Sequence, residues 1–136
     1  MLSLKKVFAV FFLSLFIFSC SKSEDTPNSS EIQINPPNWI QGKWLMDDTG
    51  LGEIGWRFTS NDFIIIQANS ELSQREMLQS LLDNGGDVSA SDNSTDETYS
   101  VTLNSIGGQS VTYSFTQVSI DEISWDTVAN SIYRKQ

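Results

Sequence analysis

Residues 99–116 read YSVTLNSIGGQSVTYSFT, and this stretch decides the fold class. Apolar or aromatic side chains alternate with Ser, Thr and Asn on both sides of the Gly107–Gly108 pair. Alternation with a period of two is typical of a strand with one buried face, and paired glycines between two such runs are typical of a hairpin turn. The stretch therefore predicts two antiparallel β-strands joined by a tight turn.

Shorter runs of the same character lie on both sides of this hairpin. Residues 63–66 read FIII, which is apolar on both faces and predicts a strand sheltered on both sides. About seven short strands separated by polar turns predict a mainly β chain that forms a small antiparallel barrel or sandwich. The other predicted strands lie at about residues 44–46, 54–59, 118–125 and 129–134.

One segment departs from the alternation and predicts a helix over about residues 74–83. Ser73 and Glu76 have the spacing of a capping box, which begins helices. A leucine stripe with helical spacing follows, and Gly85–Gly86 can end the helix. We expect this inserted helix to lie over the barrel or its mouth, either as a lid on apolar surface or as a gate for a ligand. The acidic, serine-rich stretch at 87–97 is interpreted as a loop.

The first residues have the pattern of an export signal. Lys5 and Lys6 precede an apolar run over residues 7–18, shorter than the roughly 20 residues that a membrane-spanning helix needs. A basic start, a short apolar core and then small residues are typical of a secretory signal peptide. The run ends in Ile17-Phe18-Ser19-Cys20, which resembles the lipobox of bacterial lipoproteins. We therefore expect residues 1–19 to be the lipoprotein signal peptide.

The lipobox resemblance implies that the mature chain begins at Cys20 and is held in a membrane by acyl chains on that residue. Two or more chains give stable anchoring where one chain binds only marginally. Ser21 stands where an Asp would favour retention in the inner membrane, and residues 21–25 are similar to the acidic surface-export signals of Bacteroidetes lipoproteins. The expected location is therefore the outer membrane, with exposure at the cell surface as the further implication.

Residues 20–37 are rich in Ser, Asn, Asp, Glu and Pro and carry few apolar side chains. Such a segment buries too little surface to offset its ordering entropy, so we expect a flexible tether between the lipid anchor and the domain. The folded domain is then expected over residues 38–136.

Two short motifs carry a resemblance for this domain. Gly42-Lys43-Trp44 opens the first strand and Tyr133-Arg134 lies in the last one. Together with the strand count they resemble the lipocalin-like family of small bacterial lipoproteins, in which a G-x-W motif begins the first strand and an Arg from the last strand packs over the Trp. The resemblance implies that Gly42, Trp44 and Arg134 are structural residues that close the barrel.

Composition excludes several classes of function. The chain has no His and one Cys, which excludes His-dependent catalysis, an internal disulfide and a Cys-based zinc site. A formal net charge of -9 argues against nucleic acid, because phosphates would be repelled. Adjacent acids such as Asp121–Glu122 are more typical of solvated turns than of a hydrolase. We therefore expect no catalytic residues, no cofactor and no metal site.

Two functions stay open for such a barrel. A barrel of eight strands is wide enough either to be filled by side chains or to hold one small ligand. The chain either binds a small apolar or amphipathic molecule, or has a filled core and acts as an interaction module for another envelope protein. The candidate ligand-binding residues are the aromatic side chains predicted on the inward face: Trp56, Phe58, Tyr99, Tyr113, Phe115 and Trp125.

Overall fold

The computed structural model describes residues 31–136, which form a mainly β domain with nine antiparallel strands and one short helix. The helix α1 (Gln74–Asp83) lies between the fourth and fifth strands of the chain. The strands are β1 (Gly42–Leu45), β2 (Gly55–Phe58), β3 (Phe63–Gln67), β4 (Ser70–Ser73), β5 (Ser89–Ser94), β6 (Thr98–Ser105), β7 (Gln109–Ser119), β8 (Glu122–Trp125) and β9 (Ile132–Lys135). The predicted antiparallel β class and the predicted helix at 74–83 are confirmed.

All nine strands belong to one sheet, in the order β4-β3-β2-β1-β9-β8-β7-β6-β5. Neighbours in the sheet are neighbours in the chain except where the first and last strands pair, with Trp44 opposite Lys135. Strands β4 and β5 are the two edges of the sheet and do not pair with each other. The sheet therefore curls into a half-barrel, and α1 connects its two edges.

Strands β4 and β5 are missing from the sequence prediction, and β5 lies within the stretch predicted as a loop. β5 reads SASDNS, so Ala90 is its one apolar side chain and there is no alternation to detect. The strand is extended because it pairs along its whole length with β6, where Ala90 lies opposite Leu103. The prediction of a loop is wrong for Ser89–Ser94, since pairing with a neighbour outweighs weak local propensity.

The curl of the sheet brings its two halves into contact across the inner face. The ring centroids of Trp56 in β2 and Phe115 in β7 lie 5.2 Å apart. Those of Phe63 in β3 and Tyr113 in β7 lie 5.0 Å apart. Both distances fall in the range of favourable edge-to-face and tilted aromatic pairs. Aromatic side chains therefore fill most of the interior of the half-barrel.

The helix begins at a capping site that the sequence predicts only in part. Ser73 Oγ accepts the Glu76 N–H at 3.0 Å, as the capping-box spacing predicts. The Asp62 carboxylate, from the turn between β2 and β3, also accepts the Arg75 N–H at 3.0 Å and the Ser73 hydroxyl at 2.5 Å. At the other end Gly85 has a φ of 85°, a conformation that favours glycine and ends the helix.

One side of α1 packs on the sheet, mainly against β3 and β4. Leu78 is fully buried in the core, and Leu81 and Leu82 pack against it with part of their surface exposed. The leucine stripe therefore covers apolar surface, which is one of the two roles expected for the helix.

The chain upstream of β1 is part of the folded domain, contrary to the prediction that residues 31–37 belong to the tether. Ile32, Ile34 and Ile40 are buried in the core. The Ile32 N–H donates to Gln79 Oε1 in α1 at 2.9 Å, which satisfies a backbone group that would otherwise be buried unpaired. Single isoleucines without a period give no pattern in the sequence, yet each one stabilises the segment by burying apolar surface. The predicted domain boundary is therefore too late in the chain.

This N-terminal segment crosses one end of the half-barrel. The Trp39 indole N–H donates to the Thr95 carbonyl at 3.0 Å, in the turn between β5 and β6. Glu31 pairs with Arg75 at the start of α1. The N-terminal segment therefore closes this end of the half-barrel, and Glu31, the first described residue, lies beside it.

Three predictions fall outside the described residues: the signal peptide at 1–19, lipid attachment at Cys20, and the first part of the tether, residues 21–30. Within residues 31–136, no helix is both long enough and apolar enough to cross a bilayer.

Candidate functional site

The inner face opens to solvent at the end of the half-barrel opposite the N-terminal segment. The first residues of β2 and the last residues of β3 and β8 lie at this open end. The opening between these strands, the mouth of the half-barrel, forms a cleft of about 190 Å³. We call this site the aromatic cleft. It is lined by Ile54, Gly55, Trp56, Ile65, Ile66, Gln67, Tyr113, Trp125 and Tyr133.

The six aromatic residues predicted on the inward face are brought together, but only half of them reach the cleft. Trp56, Tyr113 and Trp125 line it. Their rings contact one another, with Trp56 and Trp125 centroids 5.2 Å apart. The other three residues, Phe58, Tyr99 and Phe115, are buried in the core behind the cleft.

Two aromatic residues of this cluster are absent from the predicted set. Phe63 stacks on Trp56, with ring centroids 5.6 Å apart, and Tyr133 lies 5.7 Å from the same ring. Phe63 belongs to the FIII run, where both faces are apolar and alternation cannot tell which face points inward. No signal in the sequence identifies Tyr133, because only the structure shows the register that puts Lys135 opposite Trp44 and Tyr133 on the same face. Residues two apart in a strand share a face.

Apolar surface continues from the cleft to the outside. Trp56, Ile65 and Leu72 lie directly opposite one another on β2, β3 and β4, so their side chains share the inner face. Exposure rises along this row from 6% for Trp56 to 53% for Leu72. On the other side of the mouth, Val111 is on the same face of β7 as Tyr113 and is 50% exposed. The mouth of the cleft therefore has an apolar rim.

The indole nitrogens divide the four tryptophans into two pairs. The Trp44 N–H donates to the Ile40 carbonyl at 2.6 Å, and the Trp39 N–H bonds a turn carbonyl. The N–H groups of Trp56 and Trp125 are buried and have no hydrogen-bond partner. A buried donor left unpaired costs roughly 1–3 kcal/mol, so most native donors have a partner. Both unpaired donors of this kind lie on residues that line the cleft.

The environment of the cleft is mostly apolar and carries no charge, with Gln67 and two tyrosines as its polar side chains. No charged side chain is among its lining residues. Burial raises the pKa of the Tyr133 hydroxyl, and the neighbouring Trp56 N–H opposes part of that rise. The Trp56 N–H lies near this hydroxyl, but the two groups do not form a hydrogen bond. Tyr133 is therefore neutral at physiological pH. The residues that line the cleft provide binding surface and carry two covered N–H donors, but no charged acid–base pair.

The residues predicted to close the barrel meet in a different arrangement. Lys135 Nζ, not the Arg134 guanidinium, lies over the Trp44 ring, 5.1 Å from its centroid. Arg134 is on the opposite face of β9, where it pairs with Asp47 at 3.0 Å and with Glu122. These two carboxylates raise the pKa of Arg134, Asp47 having the larger effect. The prediction that Arg134 packs over Trp44 is wrong by one residue, since neighbours in a strand point to opposite faces.

Gly42 has a specific role in this contact. A Cβ at position 42 would lie 3.0 Å from Lys135 Cε, and the φ of Gly42 is 129°. Glycine therefore leaves room for the lysine side chain to lie across β1 and reach Trp44. Gly42 and Trp44 of the G-x-W motif therefore both contact the Lys135 side chain, and Arg134 takes no part in this contact.

A larger depression of about 370 Å³ lies on the outer face of β2, β3 and β4, but most of its charged groups already have partners. Arg57 binds Glu71 and holds the pKa of that carboxyl below its usual value. Asp62, also in its lining, is bonded to the start of α1. Most polar groups of this depression therefore have structural partners, and the aromatic cleft is the better candidate.

No protein-family model, curated protein or solved structure matches this chain. Its function is therefore inferred from the residues and the geometry of the chain itself.

Proposed function

We propose that this chain is a lipid-anchored lipoprotein of the bacterial outer membrane whose lipocalin-like domain binds a small apolar or amphipathic molecule in the aromatic cleft, without catalysing a reaction. The observation that carries the proposal is the pair of unpaired indole donors at a cleft with an apolar lining. Small-molecule sites are typically concave, mostly apolar and supplied with a few polar groups that orient the ligand.

The order of the strands supports the lipocalin-like relation. The chain runs from strand to adjacent strand, and its first and last strands pair through the G-x-W motif. This is the arrangement of an up-and-down barrel, interrupted only between β4 and β5, where α1 is inserted. The interruption leaves the domain a half-barrel.

The anchor is proposed from the lipobox resemblance at residues 17–20. The described chain starts at the end of the half-barrel opposite the cleft, where Glu31 pairs with Arg75. A lipid on Cys20 would then tether the domain from that end.

Native mass spectrometry of protein purified from its own host tests ligand binding. Ile65→Arg places a charge in the cleft, and Ile120→Arg is the matched control because Ile120 is 78% exposed and does not line the cleft. We expect a bound small molecule on the unmodified chain and on Ile120→Arg, and its loss from Ile65→Arg. An equal adduct on all three proteins, or none on the unmodified chain, would contradict the proposal.

An interaction module is the second candidate, favoured by the apolar rim and the filled interior. Leu72 lies on the edge strand β4 and is 53% exposed on the inner face. A photo-crosslinking residue at Leu72 would capture one envelope protein if this face docks on a partner. The control position is Leu51, which is 71% exposed in the loop between β1 and β2. The same products from both positions would count against a partner at the rim.

A further inference from the structure

We propose that the ligand of the aromatic cleft is an uncharged molecule about the size of one ring, and that its carbonyl or hydroxyl oxygen accepts hydrogen bonds from the N–H groups of Trp56 and Trp125. This inference rests on the proposed binding function and adds the chemical class of the ligand. Three properties of the cleft carry it: its volume, its lack of charge and its unpaired donors.

The volume limits the size of the ligand. Typical pockets for drug-sized molecules measure roughly 300–1,000 Å³, whereas the cleft measures about 190 Å³. A single ring with a short substituent is therefore suited to it, while a long acyl chain or a multi-ring molecule would extend over the apolar rim at Leu72 and Val111.

The lining selects against ions. A buried carboxylate or ammonium needs a charged partner, because removal from water costs several kcal/mol for each ion. None of the residues that line the cleft is charged, and the chain as a whole has a formal net charge of -9. An anion would be unpaired in the cleft and repelled by the chain, and a cation would lack a carboxylate there.

The donors select for an oxygen. A pure hydrocarbon would leave the N–H groups of Trp56 and Trp125 unpaired, whereas a neutral oxygen has two lone pairs and can accept from both. The two indoles are neighbours, with ring centroids 5.2 Å apart and planes at 66°. Both nitrogens are covered in the free protein. Entry of the oxygen therefore requires the partly exposed Trp125 ring to shift, with the more deeply buried Trp56 as the fixed wall.

A set of probes of equal heavy-atom count tests each property. Acetophenone has a neutral oxygen, benzoate an anionic one, and cumene has none. We would titrate each into the isotope-labelled full chain in detergent micelles and follow the four indole N–H resonances by NMR. We expect acetophenone to shift the Trp56 and Trp125 signals. It should also bind about tenfold or more tightly than benzoate or cumene, because a probe that leaves the buried donors unpaired lacks the free energy of those hydrogen bonds.

The protein contains its own controls. The N–H groups of Trp39 and Trp44 already have carbonyl partners, so their signals should not move with any probe. Trp125→Phe removes lining surface as well as a donor, so it should weaken acetophenone binding about tenfold more than it weakens cumene binding. Trp39→Phe should change neither. Unfolding curves of both variants would show whether each one is folded under the conditions of the titration.

The outcomes separate this inference from the function on which it rests. If cumene or benzoate binds as tightly as acetophenone, or if acetophenone leaves both cleft indole signals unmoved while other cleft signals shift, the cleft binds ligands but the donor pair does not select them. If no probe moves any signal of the cleft residues, both the inference and the proposed binding function are overturned.

Discussion

At the scale of single residues, the contact between Trp44, Gly42 and Lys135 shows how a short motif acts. Trp44 is fully buried. Its N–H donates to the Ile40 carbonyl, and the Lys135 ammonium lies over the face of its ring. A cation over an indole contributes about 0.5–1 kcal/mol at an exposed site. Gly42 makes this contact possible because it has no side chain.

Gly42→Ala is expected to lower the free energy of unfolding by about 1–3 kcal/mol, because alanine is strained at a φ of 129° and its Cβ would press on Lys135. Urea unfolding of Gly42→Ala, Lys135→Ala and the double variant measures the two causes separately. If contact between the new Cβ and Lys135 contributes, the double variant should lose less free energy of unfolding than the two single variants lose together. Full additivity would show that backbone strain acts alone.

At the scale of elements, the start of α1 depends on a residue from another part of the chain. Ser73 and Glu76 form the local cap that the spacing predicts. Asp62 is distant in the chain, yet it joins the β2–β3 turn to the helix by accepting the Arg75 N–H and the Ser73 hydroxyl. The spacing of the cap residues and the leucines predicts the helix itself, but the sequence does not predict the contact that attaches it to the sheet.

Asp62→Ala is expected to lower the free energy of unfolding by about 2–3 kcal/mol, since it removes a cap and leaves several buried donors unpaired. Ser73→Ala should cost about 1 kcal/mol, the usual value for loss of one cap. Thermal or urea unfolding followed by circular dichroism measures both. A smaller loss for Asp62→Ala than for Ser73→Ala would contradict the role given to the carboxylate.

At the scale of the whole molecule, the N-terminal segment makes the half-barrel a domain with one closed end and one open end. Its isoleucines fill the closed end, and its polar groups bond to α1 and β5. The aromatic cleft is left at the open end. This asymmetry gives the domain one accessible inner surface.

Ile34→Ala is expected to lower the free energy of unfolding by about 2–4 kcal/mol, as for other large-to-small changes in a core. Ile34 is 1% exposed, although the sequence places it in the tether. Gln33→Ala, at the exposed neighbouring position, should stay within about 0.5 kcal/mol of the unmodified chain. Equal effects of the two substitutions would mean that the segment is not part of the folded core.

Cys20→Ala tests the proposed anchor of the whole molecule. We expect the variant to leave the membrane fraction and to take up no labelled palmitate, while Ser23→Ala behaves like the unmodified chain. The reason is that the acyl chains, not the domain, hold the protein to the bilayer. Membrane retention of Cys20→Ala in the native host would contradict the lipoprotein proposal.

The sequence by itself determined the features that depend on neighbours in the chain. Alternation marked β2, β6 and β7, and an apolar run marked β3. The Gly107–Gly108 pair marked the β6–β7 hairpin, and the leucine stripe with its cap marked α1. In each case the side chains that decide the conformation lie within a few residues of one another, so their spacing is visible in the sequence.

Only the tertiary structure decided the features that depend on distant partners. Ala90 lies in a strand because β6 is beside it, Ile34 is buried because α1 and the sheet surround it, and Lys135 rather than Arg134 meets Trp44 because of the register between β1 and β9. A shift of one residue in register moves a side chain to the other face of a sheet. The curl of the sheet, which no local pattern encodes, therefore decided which aromatic rings fill the core and which two indole donors remain without an acceptor at the cleft.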